Sequence, residues 1–202
     1  MARPAQEGIA ERLIDAALAD MTARGVIGLR VAEVARQAGT STTMIYRHFS
    51  SRDGLLEAAL GTWFERRIEL GLANTRSILD RPGVIHVDDI LAVAPPPNFP
   101  GAEEQHRFVH RILVVASENE GLRRRVVAIL HRWQEEMDVL VEEIIGRMPP
   151  EERFDGRIFT VFVAHHGWLT NDLLGARGLT NEQYFDFLRN LLTHTPPPAR
   201  PA

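Results

Sequence analysis

Val31, Val34, Ala35 and Ala38 stand at i, i+3, i+4 and i+7, the spacing of one apolar face on a short helix. Gly39 follows; with no Cβ it takes positive φ at low cost and stops that helix. Ser41 is placed to cap a second helix, because its hydroxyl can accept from the free N–H groups of a first turn. Ile45 and Phe49 give the second helix an inner side and leave Thr42, Thr43, Tyr46 and Arg47 outside. Two short helices around a glycine turn predict a helix-turn-helix. Upstream, Ile9, Leu13, Ala16, Ala17 and Met21 repeat at helical spacing until Gly25, which predicts a supporting helix. Downstream, Ser50 with Asp53 reads as a capping box. A long helix then runs from Arg52 to about Asp80, with Leu56, Ala59, Leu60, Trp63, Phe64, Ile68 and Leu72 as its apolar stripe.

Arg81-Pro82-Gly83 breaks the pattern. A short helix near Asp88–Ala94 and a proline-rich loop, Pro95–Gly101, come next. Glu103–Ser117 is helical, with Phe108, Ile112 and Val115 on one side. Asn119–Met148 is a long helix whose inner stripe reads Val126, Leu130, Trp133, Met137, Leu140, Ile144 and Met148, with Pro149-Pro150 as its stop. Phe154 to about Ala176 is a further helix with apolar residues on more than one side. Thr180 and Gln183 form a capping box for the last helix, lined by Tyr184, Phe185, Leu188, Leu191 and Leu192. The expectation is an all-α chain of about nine helices without strands.

Composition narrows the class. Apolar residues at 45% and charged residues at 25% suit an ordinary globular protein of 202 residues. Cysteine is absent, which removes disulfides and thiol chemistry. No apolar run is long enough for a membrane span, and the charged N-terminus lacks the apolar core of a signal peptide, so a cytoplasmic chain is expected. The net charge of −4 excludes a protein that coats nucleic acid non-specifically. The basic residues are all arginine, and between residues 30 and 52 Arg30, Arg36, Arg47 and Arg52 face only Glu33. The basic patch is local and lies on the helix-turn-helix.

Val34-Ala35, Ala38-Gly39, Tyr46, Phe49, Arg52 and Leu55-Leu56 resemble, in register, the N-terminal domain of TetR-family transcriptional regulators. The likeness covers about residues 9–60. It implies a DNA-binding domain over residues 1–60 and an effector-binding and dimerisation domain over 61–195, with 196–202 as a disordered tail. It also implies a homodimer on a palindromic operator, most often a repressor released by a small molecule. A capping hydroxyl is usual in that family just before the second helix; Arg30 stands there instead and is expected to reach phosphate.

An α-helix fits the major groove, where each base pair shows its own donor and acceptor pattern. Thr42 and Thr43 suit a thymine methyl or a hydroxyl bond, and Arg47 suits guanine or phosphate. Tyr46, His48, Ser41, Arg30 and Arg52 are placed for the DNA backbone, by position and by the resemblance. In the second domain Trp63, Phe64, His106, Phe108, His110, Trp133, Phe159 and His166 are candidates to line a mostly apolar effector pocket. Phe162, Leu169, Leu173, Tyr184, Leu188 and Leu191 are candidates for the dimer interface, because the last two helices carry more apolar surface than one domain covers. His106 and His110, four apart with Glu103 before them, have metal-compatible spacing, yet a pocket-lining or surface pair fits better and no metal or cofactor is assigned. No nucleophile elbow, phosphate loop or dinucleotide fingerprint supports an enzyme. The rival reading is a helical small-molecule-binding protein or enzyme whose N-terminal hairpin is only structural.

Overall fold

Leu13, Ala16, Ala17 and Met21 form one buried face on helix α1 (Pro4–Arg24), and a fifth member at the same spacing is a carboxylate, Asp20, only 1% exposed. This is seen in a computed structural model that describes residues 4–94, 96, 100–156 and 181–194. A 3-10 turn, Val26–Gly28, leads to α2 (Val31–Gln37), and α3 (Thr42–Phe49) follows. Gly39 joins the two with φ 65°. Around it Gly39 N–H donates to the Arg36 carbonyl at 3.2 Å and Thr40 N–H to the Ala35 carbonyl at 2.9 Å, the paired closure that ends a helix through a left-handed residue. α2 and α3 are the predicted helix-turn-helix.

Two capping expectations are corrected. Ser41 is the N-cap residue of α3, but its side chain makes no capping hydrogen bond. The box between Ser50 and Asp53 is absent, because α4 (Arg52–Leu79) starts one residue later than that box requires. Ser51 does the capping: its Oγ accepts from the Gly54 N–H at 2.9 Å. Ser50 instead closes α3 at φ 65°.

The chain then continues through α5 (Val87–Val93), α6 (Ala102–Glu118), α7 (Glu120–Gly146), a 3-10 turn at Pro150–Glu152 and α8 (Asn181–His194). The fold is all-α, with eight α-helices and no strand among the described residues. It separates into two compact units, Met1–Arg67 with Arg111–Ala128 and Ile68–His110 with Ile129–Ala202, so the division falls inside α4, α6 and α7. The helix expected over 154–176 lies, from residue 157 on, outside the described residues, as does most of the Pro95–Gly101 loop. No described helix is long and apolar enough to cross a membrane.

In the first unit Leu122 and Val126 of α7 are buried, and Arg125 beside them reaches α4. It donates to the Ala58 carbonyl at 3.2 Å, Thr62 Oγ1 at 3.0 Å and Glu65 Oε2 at 3.4 Å. A Cβ at Gly61 would fall on this arginine's side chain, which lies against the bare backbone there. Arg123 and Arg124 pair with Glu120 on their own helix.

In the second unit the core gathers Leu72, Ile78, Ile90, Trp133, Met137, Ile144 and Phe154. Arg147 holds the break after α4, donating to the Leu79 carbonyl at 2.8 Å and the Gly83 carbonyl at 2.9 Å. The α7 stripe differs from the expected one at two places. Ile129 and Val141 are buried, while Leu130 is 37% exposed and Leu140 is only partly covered. Leu188 is 4% exposed and sits with Leu192 in this core.

Candidate nucleic-acid interface

The α3 helix has one inner side chain with no exposure at all, Ile45, while Thr42, Thr43, Tyr46 and Arg47 are exposed. Tyr46 keeps 51% of its surface, unusual for a large aromatic residue in a folded unit. None of these four side chains has a hydrogen bond or ion pair among the described residues. Ser41 is exposed at the start of the same helix. Arg30 is exposed too. As N-cap residue of α2 it makes no side-chain cap; its backbone N–H goes to Asp20 Oδ2 at 3.0 Å. The face therefore offers hydroxyls, one phenol and two guanidinium groups with open donors.

The other arginines of the patch are engaged. Arg36 donates Nε to Glu33 Oε2 at 3.0 Å, and Gln37 adds a bond at 2.9 Å. These two hydrogen bonds, the arginine's first, hold the Glu33 carboxyl down to about 2. Arg52 donates Nη2 to the Ile27 carbonyl at 3.0 Å and Nε to the Leu29 carbonyl at 3.3 Å, so the guanidinium expected on DNA is seated on the protein's own backbone. His48 is half-buried, its Nε2 is buried without a hydrogen-bond partner, and its ring lies 6.1 Å from that of Phe49. Three residues past Ile45, it stands within about 60° of the inner side.

Sequence reasoning missed Asp20. Its Oδ1 accepts Arg24 Nε at 2.9 Å while Oδ2 takes the Arg30 N–H, so one carboxylate joins α1 to the start of α2. The signal was legible: an acid at i+7 from Leu13, inside an apolar stripe.

Residues 13–59 match the family model described as "Bacterial regulatory proteins, tetR family". That stretch is a TetR-family N-terminal domain. The matched stretch runs from α1 into α4 and contains both helices of the reader. Solved structures share the fold over nearly the whole chain. One is a putative TetR-family transcriptional regulator from Mesorhizobium loti MAFF303099, at TM-score 0.69 and 14% identity, covering 95% of this chain and 96% of its own. Another, from Rhodococcus sp., aligns at TM-score 0.61 and 20% identity over 92% of this chain and 99% of its own. A third, a putative transcriptional regulator from Saccharomonospora viridis in complex with choline, aligns at TM-score 0.62 and 17% identity, covering 94% and 96%. No curated protein matches the sequence.

The remaining candidates divide between the two units where they are described. Trp63, half-buried, and Phe64, buried, belong to the first unit. His106, Phe108 and His110 are buried on α6 and Trp133 lies in the core of the second unit. Phe159 and His166 lie outside the described residues, as do Phe162, Leu169, Leu173 and the side chain of Tyr184. Leu191 packs, partly buried, against the core that holds Leu188. No group of three metal-ligating side chains occurs among the described residues.

Proposed function

We propose that this TetR-family chain is a transcriptional repressor that holds a palindromic operator as a homodimer and leaves it when a small, mostly apolar molecule binds the second unit. The observation that carries the reading is the outer row of α3. Thr42, Thr43, Tyr46 and Arg47 are exposed, carry donors that nothing else uses, and stand on a helix of the matched family domain. A short helix of this kind fits the major groove, and flanking arginines neutralise phosphates. Arg30 and Arg47 supply that charge, and operator DNA as the target makes the cytoplasm its place of action.

The effector half rests on the second unit. His106, Phe108 and His110 are all buried on one helix of this unit, and apolar walls with a few polar groups suit a small organic ligand. The choline complex of the Saccharomonospora viridis protein supports a small-molecule effector in this fold. The test is selection of duplexes from a random-sequence pool with the full-length protein. Enrichment of a two-fold symmetric site that Arg47→Ala no longer holds is expected. A pool that stays random would overturn the reading.

A further inference from the structure

The chain reaches α2 through Gly25–Arg30, and two helices outside the helix-turn-helix grip that stretch by its backbone. From α1, the Asp20 side chain has no solvent exposure and accepts the Arg30 N–H at 3.0 Å, while its other oxygen is held by Arg24 at 2.9 Å. From the first residue of α4, Arg52 donates to the carbonyls of Ile27 at 3.0 Å and Leu29 at 3.3 Å. Val26 and Leu29 are buried at 4% and 5%, so the stretch is fastened by side chains as well as by backbone. A guanidinium is a rigid planar fork, and two of its nitrogens spent on carbonyls two residues apart fix both position and angle. Its Nη1 lies 3.4 Å from the Asp53 carboxylate. Arg52 thus meets three acceptors of its own chain, with 39% of its side chain still exposed.

We propose that Arg52 and Asp20 are positioning residues for DNA reading: they set where α2 starts, and hence where α3 stands after the Gly39 turn, and Arg52 makes no phosphate contact. The inference rests on the DNA-binding reading above. It parts from a contact role in two ways. A lysine at 52 keeps the charge but cannot serve both carbonyls. A neutral residue at 20 removes a negative charge from the reader, which by charge alone favours DNA.

The experiment measures affinity against salt concentration for the full-length chain, on a duplex that the wild type enriches from a random pool. Arg52→Lys and Arg52→Met are both expected to bind roughly tenfold more weakly, as for one lost charge-assisted hydrogen bond. The slope of log affinity against log salt stays at the wild-type value in both. Asp20→Ala is expected to weaken binding too, against its change in charge. Without DNA, amide exchange at residues 27–31 is expected to quicken in the Arg52 variants, which reads the clamp directly and does not depend on Asp20→Ala folding. Wild-type affinity in Arg52→Lys, together with a slope about one unit lower in Arg52→Met, is the signature of a phosphate contact and overturns the proposal. Unchanged amide exchange overturns it as well. A wild type that enriches no duplex removes the DNA reading itself and this inference with it, a result distinct from either of the others.

Discussion

Arg36 and Arg47 have the same side chain and opposite circumstances. Arg36 is held by Glu33 at 3.0 Å, whereas Arg47 points outward with its donors open. Arg47→Ala is therefore expected to lower operator affinity and to reduce the salt slope by about one unit, with Arg36→Ala having the smaller effect in a gel-shift titration. The sign for Glu33 follows from its depressed carboxyl. Its contribution to stability is complete above the ordinary value of 4.5 and is lost as pH falls through about 2, so Arg36 stays engaged throughout neutral pH. Ser50 offers a test of backbone strain. At φ 65° it occupies a region that a β-carbon disfavours, so Ser50→Gly is expected to raise stability by about 0.4–1 kcal/mol in chemical denaturation.

At the scale of elements, α5 is seven residues long and depends on what holds its first turn. Asp89 Oδ2 accepts the His86 N–H at 2.9 Å, and Glu152 from the 3-10 turn accepts from Val87 N–H at 3.0 Å and meets His86 Nδ1 at 2.9 Å. The Glu152 carboxylate raises the His86 value above 6.5, first by their hydrogen bond, and that same bond lowers Glu152. A raised histidine stabilises fully below its unfolded value and loses this as pH rises through its folded one; the depressed carboxylate loses its share in acid. The difference in melting temperature between wild type and His86→Gln is expected to be greatest near pH 5–6 and to shrink above neutrality. α8 makes a separate prediction. Leu188 is 4% exposed in the core of its own unit, so Leu188→Ala is expected to cost about 2–5 kcal/mol, read by denaturant midpoint at fixed protein concentration.

For the whole molecule, dimerisation and release are linked expectations. The interface candidates Phe162, Leu169 and Leu173 lie outside the described residues, and Phe162→Glu is the substitution chosen to test them. Sedimentation is expected to give a dimer at micromolar concentration for the wild type and a monomer for this variant; a monomeric wild type removes the dimeric operator model. A switch of the proposed kind obeys reciprocity. If a ligand weakens operator binding 5- to 150-fold, corresponding to a coupling of about 1–3 kcal/mol, saturating operator weakens ligand binding by the same factor, which calorimetry with and without DNA checks. Helix α4 starts in the first unit and ends in the second, so a change at its far end has a continuous element along which to act.

The helix-turn-helix was legible because its information is local: apolar spacing at Val31–Ala38, a glycine where φ is positive, and a single inner residue, Ile45, that phases α3. The all-α architecture and most helix limits are local in the same sense. The α7 stripe was not, since two sets of residues keep the 3–4 spacing and share Val126, Trp133, Met137, Ile144 and Met148. Only the neighbouring elements choose Ile129 and Val141 over Leu130 and Leu140. Leu188 shows the same limit, because an apolar stripe states that a face is buried but not what buries it. Arg52 shows it for charge: the sequence places an arginine beside the helix-turn-helix, and only folding brings two carbonyls, from residues 27 and 29, within its reach. Periodicity fixes which side of a helix turns inward; which partner a side chain meets is a property of contacts distant in sequence, and only the tertiary structure supplies those.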